Sequence, residues 1–213
     1  LDGAAMSTIV LHTDARSPYG WACALIADEK GVPFEIVGVD VASPAHRRLH
    51  PFGKMPVLQH GEVIVYEALA IAHYIDRAFA GPVLQPLDPL NQARMLTAMS
   101  VVNAYCFPTM NGLIKERTAG LWRDTPTDPA VVESFVAPLT LQLEIFEESL
   151  SRHPFLVGEH LSLADLFLLP HLHLASATPE GATALGHAPS TAAWLAHMRA
   201  RPSFDRTNPY STV

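Results

Sequence analysis

The chain is poor in cysteine, in positive charge and in long apolar runs. Only Cys23 and Cys106 occur in 213 residues. Two cysteines make no disulfide framework, and a reducing, cytoplasmic setting is the expectation. Fourteen Lys and Arg stand against 21 Asp and Glu, a formal net charge of -7. A nucleic-acid binder needs a basic face for phosphates, so no nucleic-acid partner is expected. No apolar run reaches the roughly 20 residues that cross a membrane, so no membrane partner is expected either. The densest run, LSLADLFLLPHLHLA, is interrupted by Asp165, Pro170 and two histidines and reads as a buried core helix. The opening LDGAAM lacks a charged region followed by a long apolar one. It is read as no signal peptide, with Met6 as the natural start. Internal repeats and low-complexity segments are also absent.

What is present is ordinary for one or two domains with a sizeable core: 49% hydrophobic and 16% charged residues. STIVLHT alternates and is rich in β-branched residues, which predicts a strand at about residues 8–13. SPYGWACALIADEKG predicts a helix with Ser17 as N-cap, Pro18 at its first position and Gly31 past its end. PFEIVGVDV predicts a second strand, followed by an irregular stretch. PVLQ and EVIVY flank His60-Gly61 and predict a hairpin. EALAIAHYIDRAFA places Leu69, Ile71, Ala72, Tyr74, Ile75 and Phe79 at helical spacing. Pro82, Pro86 and Pro89 then break the pattern and read as a linker. Helices are expected from Asp88 toward Pro108, from Asp128-Pro129, over SLADLFLLPHLHLASA and over STAAWLAHMRAR. The expected architecture is an α+β chain: a small α/β domain over 6–81, a linker over 82–92 and an all-helical domain over 93–213.

Four segments carry chemistry. Ser17-Pro18-Tyr19-Gly20 would become C-P-Y-C, the dithiol motif of a glutaredoxin, with cysteine in place of Ser17 and Gly20. HPFGKMPVL, YEALAIAHYI and GEHLSLADLFLLP follow in order. Together they resemble the serine-type active site and the N-P-x-G-x-x-P-x-L, E-S-x-A-I-x-x-Y-I and G-x-x-[ST]-x-A-D segments of the cytosolic glutathione transferase family, with features of tau-, zeta- and phi-like members. The resemblance covers nearly the whole chain from Met6. It implies a thioredoxin-like N-terminal domain followed by a helical bundle.

A helix N-terminus favours an anion through its free N–H groups and partial positive charge. A glutaredoxin uses this to ionise its own cysteine. By resemblance, Ser17 here donates a hydrogen bond to the sulfur of bound glutathione, so the reactive thiol belongs to the co-substrate. The alternative is that Ser17 is only a cap. The resemblance further implies a cis bond before Pro56, pairing of the Met55 backbone with the cysteinyl part of glutathione, and Val57 beside it. Lys54 would meet the glycyl carboxylate and Glu67 the γ-glutamyl ammonium. Ala68 departs from the family serine, removing one donor worth roughly 0.5–1.5 kcal/mol. WACALIA carries no arginine after the serine motif; His46, Arg47 and Arg48 are the replacement cations, with His46 as a glutathione contact or all three as plain solvated charges. Ser162 and Asp165 read as a capping box with a stabilising role.

A small hydrophobic electrophile is expected against Tyr19, Tyr105, Met110 and Asn111, with Phe107 and Leu113 nearby, though each is equally readable as core. Eleven histidines invite a metal. His171 and His173, two apart on a helix, do not share a ligand sphere, so no metal is expected. Cys23, inside the first helix, reads as a small buried apolar group. The implied activity is glutathione conjugation by a homodimer. The alternatives are an isomerase of the maleylacetoacetate type and a non-catalytic, stress-related binding protein of the same fold.

Overall fold

The computed structural model describes residues 8–122 and 125–211; Met6 lies outside them. It forms two compact units. One holds the described residues up to Leu84 together with those from Arg201 onward, and the other is Gln85–Ala200.

In the first unit the order is β1 (Ile9–His12), α1 (Pro18–Glu29), β2 (Phe34–Val37), α2 (Pro44–Leu49), β3 (Val57–His60), β4 (Val63–Tyr66) and α3 (Ala68–Ala78). The sheet runs β2-β1-β3-β4. β1 and β2 are parallel, Leu11 standing opposite Ile36. β3 is antiparallel to both β1 and β4, with Leu58 opposite Leu11 and Val65. This is a thioredoxin-like fold. Gly61, at φ 58°, opens the β3–β4 turn one residue later than the pattern of His60-Gly61 suggests.

α1 is buried from Gly20 through Ala27 on every side, as expected of a helix with no polar face. That burial explains why WACALIA has no arginine: a cation there would have no water. The stretch expected to be irregular contains α2. Its Ser43-Pro44 start repeats Ser17-Pro18, and the Ser43 hydroxyl accepts from the His46 N–H at 3.1 Å.

The expected linker is shorter than 82–92. Buried Lys30 donates to the Pro82 carbonyl at 2.7 Å and to Asp76 at 3.1 Å, while Asp76 accepts from the Leu84 N–H at 3.0 Å. These bonds tie residues 82–84 into the first unit. Pro89 opens a helix. The tail belongs to the first unit as well: Arg201 grips Glu29 at 2.8 and 2.9 Å, and Trp21 donates to Thr207 at 3.0 Å.

The second unit is helical: α4 (Pro89–Val101), α5 (Phe107–Arg117), α6 (Ala119–Trp122), α7 (Pro129–Leu150), α8 (Leu163–Ala175), α9 (Pro179–Gly186) and α10 (Pro189–Arg199). A π-helical turn, Val102–Cys106, joins α4 to α5 just before Pro108, where proline disturbs the helical ladder. α7 has 22 residues and is long and apolar enough to cross a membrane by length and composition, which the count of apolar runs did not anticipate. It packs against α5, α9 and α10 as a bundle helix. α8 carries the expected capping box, and its Asp165 is fully buried. The last helix, α11 (Pro202–Thr207), lies against α1 in the first unit.

Candidate active site

Ser17 takes an extended conformation and caps α1, its Oγ accepting from the Gly20 N–H at 3.4 Å. That bond uses a lone pair and leaves the hydroxyl proton to be donated. No acidic side chain occupies the first turn of α1, so the positive end of the helix is not neutralised from within. Gly20 is required by its surroundings. A Cβ there would lie 2.3 Å from Thr13 Oγ1 and 2.9 Å from Thr13 Cγ2.

Asp14 builds the turn in front of Ser17. Its carboxylate accepts from the Arg16 N–H at 2.8 Å, an Asx turn, and its carbonyl accepts from the Ser17 N–H at 3.0 Å. The Arg16 N–H holds the Asp14 carboxyl below the usual range, helped by the guanidinium. The positive charge beside Ser17 is thereby matched. The Asp14 N–H in turn points at Met55 Sδ, 3.2 Å away. This contact joins the Ser17 turn to the segment before β3.

The Met55–Pro56 peptide is cis. Val57 is fully buried, and its backbone pairs with His12 and Tyr66 in the sheet. Lys54 is exposed. His46 does not share that exposure. It is 4% exposed, and its Nε2–H donates to the Lys54 carbonyl at 2.6 Å. The expectation that His46 contacts a ligand is thus corrected: its ring is sealed and it holds the backbone of Lys54. Arg47 and Arg48 are exposed on the last turn of α2.

Glu67 stands before α3 with φ 71°, and no side chain caps that helix. Ala68 is buried at its first position. The Glu67 carboxylate is 63% exposed and lies 3.9 Å from Nε2 of buried His50. A run of contacts therefore links Ser17, Asp14, Met55, Lys54, His46, His50 and Glu67 within the first unit. Among the described residues, no group of three or more His, Cys, Asp or Glu gathers as for a metal ion.

The family model described as the glutathione S-transferase N-terminal domain matches residues 11–83, and that of the C-terminal domain matches residues 123–202. The chain belongs to the glutathione S-transferase family. Glutathione S-transferase 3 of Zea mays is 31% identical over 210 residues, 95% of this chain and 94% of that one. A solved structure of glutathione S-transferase III in apo form has a TM-score of 0.87 at 28% identity, over 97% of this chain and 98% of that one. Glutathione S-transferase I from maize, solved with an atrazine glutathione conjugate, has a TM-score of 0.84 at 27% identity, over 93% and 95% of the two chains.

In this glutathione S-transferase the residues named for a second substrate fall unequally. Tyr19 is half-buried on α1. In the helical unit Tyr105 is 64% exposed, with its carbonyl accepting from Gln142 at 3.1 Å. Asn111 is half-buried. Met110 is fully buried, a correction, because it has no surface to offer a guest. Asp14, which builds the turn before Ser17, and His50, which lies near Glu67, were not named from the sequence. The D-x-R-S-P spacing of an Asx turn before a capped helix signals the first. Histidine in the asparagine position of N-P-x-G signals the second.

Proposed function

We propose that this glutathione transferase ionises the thiol of its co-substrate with Ser17. The single observation behind this is the N-terminus of α1, where the Ser17 hydroxyl accepts one bond and keeps its proton to donate, with no acidic side chain in the first turn to neutralise the helix dipole. A thiol of pKa roughly 8.5 must fall by one to two units to ionise at neutral pH, about 1.4–2.8 kcal/mol. A charge-assisted hydrogen bond contributes roughly 1.5–3 kcal/mol, which is of that size. Cys23 and Cys106 are unsuited to the task, since burial raises both thiols, Cys106 to about 12.

Glutathione then lies along the first unit. Its cysteinyl part meets the Met55 backbone, and its glycyl carboxylate meets Lys54. The γ-glutamyl ammonium meets Glu67, and the γ-glutamyl carboxylate meets the uncapped N–H groups of α3 around Ala68. The thiolate attacks an electrophilic carbon of a small apolar substrate. With an aryl chloride, a C–S bond forms, the C–Cl bond breaks and chloride leaves with the electron pair. Within the helical unit, Tyr105 and Asn111 are the side chains with surface left for that substrate. The working state is a homodimer in the cytoplasm. Phe52 at 71% and Leu90 at 61% exposure are apolar side chains that a second copy would cover, and both cysteines are free.

The test is calorimetry with glutathione on the natural chain and on Ser17→Ala, with conjugation to a chloronitrobenzene followed in parallel. Retained binding with a lost rate supports the reading. No binding to the natural chain at millimolar glutathione would sink it.

A further inference from the structure

Two imidazoles are sealed behind the Lys54 segment. His46 is 4% exposed and His50 is 2% exposed. The His50 N–H donates to the His46 carbonyl at 2.9 Å, and the rings stack with centroids 6.4 Å apart. Tyr66 and Phe52 close the other sides of His50, at 4.9 and 6.3 Å. Nδ1 of His50 has no hydrogen-bond partner among the described residues. A buried polar nitrogen without a partner is uncommon, and packing alone would be met by an apolar side chain. Its other nitrogen, Nε2, lies 3.9 Å from the Glu67 carboxylate. That is too long for a hydrogen bond and well within reach of a charge. Glu67 itself holds a left-handed backbone, φ 71°, a conformation that persists only when its surroundings enforce it.

We propose that His50 is a positioning residue for Glu67, leaving its carboxylate free for the γ-glutamyl ammonium while neutral and capturing it when protonated. This rests on the glutathione reading above. The groups facing the ring are Glu67 before α3, His46 on α2, Lys54 on the following loop and Tyr66 on β4. Burial, His46 and Lys54 all disfavour the charged ring, and Glu67 alone favours it; the balance lies below the ordinary histidine value. At neutral pH the ring is uncharged and the carboxylate is available. In acid the imidazolium forms an ion pair with Glu67 and competes with the ligand's ammonium. By linkage, a ligand that occupies Glu67 makes the ring harder to protonate.

The probe is S-methylglutathione, which has the same γ-glutamyl and glycyl ends and no ionisable thiol. Its dissociation constant is measured from pH 8 to pH 5 on the natural chain, His50→Asn and Glu67→Gln. On the natural chain, affinity should fall severalfold toward pH 5, approaching the roughly tenfold limit that one unit of coupling sets. In His50→Asn affinity should be flat with pH. Glu67→Gln, an exposed change that keeps the side-chain size, should be weaker at every pH and equally flat. A flat profile on the natural chain, or an undiminished slope in His50→Asn, overturns the proposal while leaving the glutathione reading intact. No binding to the natural chain at any pH overturns both.

Discussion

Three helices in this molecule open on a serine, and two of them, α1 and α8, treat their N-termini in opposite ways. At α8 the protein consumes its own helix end. Asp165 accepts from the N–H and Oγ of Ser162 at 3.0 and 2.8 Å, from the Leu156 N–H at 2.9 Å and from Trp194 Nε1 at 3.0 Å. Burial pushes the Asp165 carboxyl upward, and these four donors pull against it. At α1 the capping contact is a single 3.4 Å bond, the serine is half-buried and no carboxylate is nearby in the first turn. A helix end saturated from within can only hold a fold together. One without a carboxylate of its own keeps its positive end for something that arrives from outside.

The largest way to break this comparison is Asp165→Ala. It strands four buried donors and should remove about 4 kcal/mol of stability, read as a lower urea midpoint. Conjugation per folded molecule should be unchanged. A shift below about 1 kcal/mol would mean that the α8 terminus is no more structural than that of α1.

Acid separates the two helices next. α8 also carries His171, fully buried, donating from Nδ1 to the Phe167 carbonyl at 2.9 Å and pushed down to about 4 by burial. The unfolded chain takes up this proton near pH 6.5 and the folded chain only near pH 4. Stability contributed by the neutral ring is therefore intact above about pH 6.5 and declines as pH falls toward 4, by about 3 kcal/mol. Urea midpoints over that range should fall less steeply in His171→Leu than in the natural chain.

Ser17→Ala should do the reverse of Asp165→Ala. We expect kcat to drop about thirtyfold, the size of one charge-assisted hydrogen bond, with the urea midpoint nearly unmoved. A destabilisation of about 2 kcal/mol with an unchanged rate would make Ser17 a cap and nothing more. The smallest effect belongs to Lys54→Met. Removing one exposed cation should raise the KM for glutathione about threefold to fivefold at unchanged kcat, an exposed ion pair's worth.

Much of the fold was legible because local and global signals agree. The alternation in STIVLHT, the Ser-Pro start of α1 and the helical spacing after Glu67 all became elements near their expected bounds. Proline was the signal read unevenly. Pro18, Pro44, Pro89, Pro129, Pro179, Pro189 and Pro202 each stand first in a helix, where the missing N–H would have no intrahelical partner anyway. Reading Pro89 as a breaker lengthened the linker, and overlooking Ser43-Pro44 and Thr178-Pro179 hid α2 and α9. In the site, Ser17, Lys54 and Glu67 could be named from motif spacing. His46 could not be placed, because whether a histidine faces water or the back of a loop depends on packing across the sequence. The grouping of the C-terminal tail with α1 was equally invisible, since Arg201 and Glu29 meet across 172 positions.

The contact between Gly20 and Thr13 bears on reversibility. A single substitution at position 17 would give this chain a sulfur of its own. The resolving partner three residues later is another matter, because Thr13, fully buried at the end of β1, already fills the space that a side chain at position 20 would need. Packing of this kind ties the chain to a thiol supplied from outside. Dithiol exchange at these positions would require rebuilding the floor beneath the helix as well as introducing two atoms of sulfur.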